Sequence, residues 1–149
     1  MEHHFKASLE WTGNTGMGTA TYTAYDREHR FAVEGKDPIN LSSAPVFRGN
    51  AEKYNPEDML IYAVSSCHML WFLHCCADAG FIAIEYSDTP EGTLSIDKSG
   101  IGKITSIILK PTVVFKSPIS QEQLRLLHDK AHTHCFIANT LSCPVEVEL

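Results

Sequence analysis

Hydrophobic and polar positions alternate near the start of the chain. Between His4 and Thr12, Phe5, Ala7, Leu9 and Trp11 fall on one side of an extended segment, which predicts a strand. A Gly/Asn/Thr turn from Gly13 to Gly18 follows. The β-branched and aromatic run GTATYTAY, Gly18 to Tyr25, then predicts a second strand. Period-two character returns from Glu28 to Glu34, so the three runs together predict an antiparallel meander. Residues 36–54 contain two prolines and little periodicity and are expected to form a loop that carries Arg48.

The pattern changes at Asn55. Asn55 suits an N-cap, Pro56 the first helical position, and Glu57 and Asp58 place negative charge at the positive end of the helix dipole. Gly80 suits the left-handed conformation that closes a helix. One long helix is therefore predicted over Asn55 to Gly80. From Met59 to Ala77 its only clearly polar residues are Ser65, Ser66, His68 and His74. A helix apolar almost all round lies in a core or spans a membrane. The acidic start and the scattered Ser, His and Cys favour the core. Two faces can be traced, Leu60–Val64–Cys67–Trp71–Cys75 and Ile61–Ser65–Met69–Phe72. Covering both calls for a sheet on one side and another helix, from this chain or a second subunit, on the other.

Beyond Gly80 strand character resumes in FIAIEYS, GTLSIDKSG and GKITSIILKPTVVFK, the last interrupted by Pro111. Ser120 and Gln123 have capping-box spacing and open a second helix, Gln121 to about His134, with Leu124, Leu127, His128 and Ala131 on its buried face. Phe136 to Leu141 reads as a short extra turn or helix, and PVEVEL as a closing strand. The order predicts a single α+β domain over 1–149, with antiparallel sheets packed on a long central helix and a second helix.

Composition narrows the function classes. At 44% hydrophobic and 20% charged residues the chain is an ordinary globular one. Its net charge of −6 and lack of any basic stripe argue against nucleic acid or an anionic membrane as partner. The N-terminus, MEHHFKASLEW, has no apolar signal-peptide region, so a cytoplasmic location is expected. Five cysteines (Cys67, Cys75, Cys76, Cys135, Cys143) without Cys-x-x-Cys spacing argue against a disulfide framework, a zinc ribbon or a thioredoxin-type motif. They leave buried structural thiols, a metal site of scattered ligands, or a reactive thiol with a distant partner.

Cys67, on an apolar helical face, can be read as a small hydrophobe. To react, its thiolate needs stabilisation, and the helix dipole does not reach about 18 Å from the N-terminus. A cation is required. Of the four arginines, Arg27, Arg30, Arg48 and Arg125, Arg48 lies in the irregular loop just before the helix. Cys135, where the second helix ends, is the other thiol of interest. It is 68 residues from Cys67, and sequence alone leaves their proximity open.

NPEDMLIYAVSSC, followed by an apolar helix and Gly80, resembles the Asn-Pro-Glu…Cys helix of the OsmC/Ohr family (osmotically inducible protein C and organic hydroperoxide resistance protein). AHTHCFIANTLSCPVEVEL is similar to the family's C-terminal approach to its second cysteine. The resemblance implies an OsmC-like two-layer fold, an intertwined homodimer and a thiol peroxidase acting in oxidative-stress defence without a cofactor. It makes Cys67 the peroxidatic and Cys135 the resolving cysteine, with Glu57 and Arg48 as the supporting pair. In the Ohr branch the arginine comes earlier, which keeps Arg27 and Arg30 as candidates. Phe136 stands where the family usually has proline, and Cys143-Pro144 makes Cys143 the reserve resolving thiol. An organic hydroperoxide is the implied substrate, favoured over hydrogen peroxide by Met69, Trp71 and Phe72, and a lipoyl-type dithiol the implied reductant. Glu57 and Cys67 are about 15 Å apart along one helix, too far for one arginine of the same chain to serve both. Arg48 and Glu57 of one subunit are therefore expected to complete the site around Cys67 of the other.

Two rival readings come from the residues. His128 and His132, at i, i+4 spacing, with His134 and Cys135 form a candidate metal site; as a bland reading they are polar residues at a helix C-terminus. A non-catalytic dimeric carrier of apolar ligands is the other. His68 directly after Cys67 suggests a Cys-His hydrolase, but neighbours on a helix point about 100° apart.

Overall fold

The structure, a computed structural model, describes residues 1–149. The chain divides into two compact units, Met1–Met59 and Leu60–Leu149.

In the first unit, β1 (Ser8–Trp11), β2 (His29–Ala32) and β3 (Ile39–Leu41) form an antiparallel meander in that order. Its register pairs Leu9 with Phe31 and Phe31 with Ile39. The meander was expected, but its third strand falls in the segment expected to be a loop. Gly18 to Tyr25 is not a strand at all. Local bonds hold that run in turns. Asn14 Oδ1 accepts from the N–H groups of Gly16 and Gly18, and Thr15 Oγ1 donates to the Ala24 carbonyl. Such side-chain bonds compete with ladder formation. After β3, a 3-10 turn over Pro45–Phe47 ends at Arg48, whose φ of 65° is the chain's only positive value outside glycine. Gly49 follows because a side chain there would collide with the Ser43 carbonyl.

The long helix α1 runs from Pro56 to Ala79. Asn55 Oδ1 accepts from the Asp58 N–H at 2.9 Å, and Asp58 reaches back to the Asn55 N–H. Gly80, at φ 76°, ends it. By length and composition alone α1 is long and apolar enough to cross a membrane. Here, however, a continuous stripe, Val64, His68, Phe72, Cys75 and Cys76, is buried in the second unit. That stripe lies between the two faces traced from sequence and includes a histidine.

The second unit holds two sheets. β4 (Ala83–Asp88) pairs antiparallel with β7 (Pro111–Phe115). β6 (Gly102–Leu109) lies between β5 (Glu91–Ile96) and β8 (Val145–Val147), antiparallel to the first and parallel to the second. The break expected at Pro111 passes the chain from one sheet to the other at Lys110. There the Lys110 N–H donates to Asp88 Oδ1 at 2.7 Å, and Ser65 Oγ of α1 donates to the other oxygen of the same carboxylate. The helices α2 (Gln121–His134) and α3 (Phe136–Thr140) fall where the sequence places them, and the Ser120/Gln123 capping box is complete.

Two core clusters result. Phe72, Cys75 and Cys76 pack with Leu127 and Ala131 of α2 against Tyr86, Val113 and Phe115 of the β4–β7 sheet. Val64 packs with Ile107 and Leu109, flanked by Ile137, Leu141, Cys143 and Val145. On the far side of α1, Tyr62, Leu70 and Leu73 stay exposed.

Candidate functional site

The buried face of α2 follows from its capping box, which fixes where the helix begins and so which residues turn inward. Leu127, His128, Ala131 and Cys135 are buried, Cys135 completely. Cys135 is the last-turn cap of α2, and the chain then re-enters a helix, so the N–H groups of Ile137 and Ala138 point at its sulfur. Cys67, half-buried on α1, is a neighbour of that sulfur, near enough to act on its thiol. The structure thus brings the two thiols together. Burial pushes the Cys135 thiol up to about 11; the Ala138 and Ile137 N–H groups oppose that rise, and the neighbouring Cys67 adds to it. A thiol so placed is held protonated until a base removes its proton.

The other cysteines have different surroundings. Cys75 and Cys76 are core thiols in the first cluster; burial pushes Cys75 up and Cys76 up to about 11. Cys143 sits against the second cluster, beside Val64, Ile107 and Leu109.

Arg48 and Glu57 belong to the first unit, Cys67 and Cys135 to the second. Arg48 is exposed, and none of the three ion pairs involves it. One carboxylate oxygen of Glu57 is shielded from solvent and has no donor. Arg27 is engaged locally: it donates to the carbonyls of Tyr25 (2.5 Å) and Tyr22 (2.6 Å) and lies 4.1 and 4.4 Å from the centroids of their rings. Arg30 is exposed on β2.

The histidines and cysteine weighed as metal ligands form no group of three with ligating geometry. His134 Nδ1 donates to the Lys130 carbonyl at 2.8 Å, while His128 turns to α1. There it meets His68, whose role sequence reasoning missed. His68 Nε2 and His128 Nδ1 are 2.9 Å apart in rings parallel to within 1°, and both residues are 1% exposed. Phe72 stacks on His128 at 4.1 Å. Burial lowers both imidazoles to about 4, so each is neutral at pH 7. His132 and Asp88 lie close enough to act on His68 in opposite directions. His68 Nδ1, His128 Nε2, His132 Nδ1 and the Tyr86 hydroxyl are all buried without a partner. The signal available in sequence was the i, i+4, i+8 series Val64–His68–Phe72, which puts His68 on the inner stripe.

Four residues beyond Cys67 on α1, Trp71 touches both neighbours of Cys135. Its ring lies 5.0 Å from His134 and 5.4 Å edge-on from Phe136, with His74 at 5.5 Å.

Comparison with known proteins gives a consistent result. Residues 49–149 match the family model described as OsmC-like protein. An uncharacterized protein of Bacillus subtilis (strain 168), YmaD, is 28% identical over 99% of this chain and 93% of its own. The solved structure of an OsmC-like protein of unknown function from Vibrio cholerae is 30% identical, covers 99% of both chains and superposes with a TM-score of 0.89. An organic hydroperoxide resistance protein from Elizabethkingia anophelis shares the fold at 18% identity, with a TM-score of 0.72 over 100% of this chain and 96% of that one.

Proposed function

The chain belongs to the OsmC-like family, and from that premise we propose that it is a cysteine-based peroxidase that reduces organic hydroperoxides. The observation that carries this reading is that Cys67 and Cys135, 68 residues apart in sequence, are neighbouring free thiols. The Cys67 thiolate attacks one oxygen of the hydroperoxide, the O–O bond breaks, and the departing alkoxide takes a proton to leave as an alcohol. Cys67 is then a sulfenic acid. Cys135 attacks its sulfur, the S–O bond breaks, and a disulfide and water form. An external dithiol, of the lipoyl type, returns both thiols. The aromatic group around Trp71 supports an apolar substrate over hydrogen peroxide, and the Elizabethkingia protein bears the name of organic hydroperoxide resistance.

Arg48 supplies the cation for the Cys67 thiolate, and Glu57 holds its guanidinium in a bidentate pair. The donorless Glu57 oxygen and the unpaired Arg48 support that assignment. So does helix length. The ten residues from Glu57 to Cys67 span about 15 Å, so the pair completes the site of a second subunit. Exposed Tyr62, Leu70 and Leu73 on α1, and Leu9 and Trp11 on β1, are the apolar surface such a homodimer would cover. The enzyme then serves oxidative-stress defence in the cytoplasm.

The test is mass spectrometry after one equivalent of cumene hydroperoxide. A Cys67–Cys135 link is expected. Cys67→Ser should abolish peroxide consumption, while Cys75→Ser should retain it. A Cys67–Cys143 link would reassign the resolving thiol. Unmodified cysteines and no consumption in the presence of a lipoyl dithiol would leave an apolar-ligand carrier instead.

A further inference from the structure

Cys135 must lose its proton before it can attack, yet it has no exposed surface from which water could take it. A base has to come from inside the protein. On α2, His128, His132 and Cys135 follow at i, i+4 and i+7, a single helical stripe. Two contacts already join this stripe to α1: Cys135 with Cys67, and His128 with His68. His132 lies between them along the helix.

The pairing of His68 with His128 has a fixed consequence. Two neutral imidazoles share one N–H, so of the two outer nitrogens, His68 Nδ1 and His128 Nε2, one carries a proton and the other is bare. Moving the shared proton across 2.9 Å exchanges these roles when the bare outer nitrogen takes up a proton and the protonated one releases its own. With His132 Nδ1 and the Tyr86 hydroxyl, four buried polar atoms here lack partners. The charged and titratable groups facing it are Asp88 and Tyr86 of β4 and His128 and His132 of α2.

We propose that His132, backed by the His68–His128 pair, is the proton relay of the resolving step. This rests on the peroxidase reading above. As Cys135 approaches the Cys67 sulfenic acid, its Sγ–H proton passes to His132. The new thiolate forms the S–S bond, the S–O bond breaks, and the departing hydroxide recovers that proton as water. No net proton is gained or lost, and the hydroperoxide remains the only oxidant. The His68–His128 pair lies beside His132 and, by tautomer exchange, takes up a proton at one outer nitrogen as it releases one from the other.

The experiment is a single turnover of the full-length protein with one equivalent of cumene hydroperoxide, quenched over time. Cys67 sulfenic acid is trapped with dimedone, and the Cys67–Cys135 link is counted by mass. The variants are His132→Asn and His128→Asn, the second keeping a polar atom where Nδ1 bonds His68. For His132→Asn the disulfide should form roughly 10²-fold more slowly while the sulfenic acid accumulates. Its rate should then climb about tenfold per pH unit over pH 6 to 9, as specific-base removal of a thiol proton requires, a steeper dependence than the parent's. His128→Asn should lie between the two and alter the solvent deuterium isotope effect of this step. A merely structural role would lower stability without changing the pH profile. Disulfide formation in His132→Asn at the parent rate and with the parent pH profile overturns the relay but leaves the peroxidase intact. Absence of both Cys67 sulfenic acid and the Cys67–Cys135 link in the parent overturns both.

Discussion

At His68 and His128 the fold holds neutral two side chains that an unfolded chain would protonate below about pH 6.5. Their folded values are lowered to about 4, chiefly by burial. Between those limits the unfolded chain binds more protons than the folded one, so stability rises with pH. The contribution is complete above about pH 6.5 and is lost as the pH falls towards 4. A shift of this size corresponds to about 3 kcal/mol for the first proton taken up. Urea unfolding of the parent at pH 7 and pH 4.5, set beside His128→Asn, should show a smaller acid loss in the variant. Equal losses would mean that the pair does not titrate with folding. The residue scale is also where sequence was least informative. His68 stands one position from Cys67, but its partner is 60 residues away, and only the packing of α1 on α2 shows that the two neighbours face different groups. In the same way, the juxtaposition of Cys67 and Cys135 was implied by resemblance and not by spacing.

The elements were more legible where their ends carry capping chemistry. Asn55, Gly80 and the Ser120/Gln123 pair mark helix ends that the structure reproduces, because each satisfies backbone groups within a few residues. The Gly18 to Tyr25 run was misread for the opposite reason: strand composition was outweighed by the turn bonds of Asn14 and Thr15. Two substitutions follow at this scale. Ser120→Ala removes one half of the capping box and should lower stability by about 1 kcal/mol. Phe72→Ala opens a cavity where α1, α2 and the β4–β7 sheet meet, and should cost about 3–5 kcal/mol. Thermal unfolding of both measures the difference, and similar losses would contradict the core assigned to Phe72.

At the scale of the whole molecule, the proposed sharing of each site between two subunits makes a numerical forecast. Cys67→Ser and Arg48→Gln homodimers should each be inactive. Random re-pairing of equal amounts should restore about a quarter of the parent turnover, since half of the dimers would carry one intact site of two. No recovery after verified subunit exchange would place Arg48 in its own chain's site or outside the mechanism. Replacing exposed Leu70 with Asp should shift the protein towards monomer in light scattering and lower turnover with it. The molecule also holds only two tryptophans, Trp11 in the first unit and Trp71, whose indole rests on both residues flanking Cys135. Closing an S–S bond at that point must disturb the rings around the indole. Emission from a Trp11→Phe protein should therefore change intensity with each oxidation and return with each reduction, giving every cycle a visible signature without an added dye.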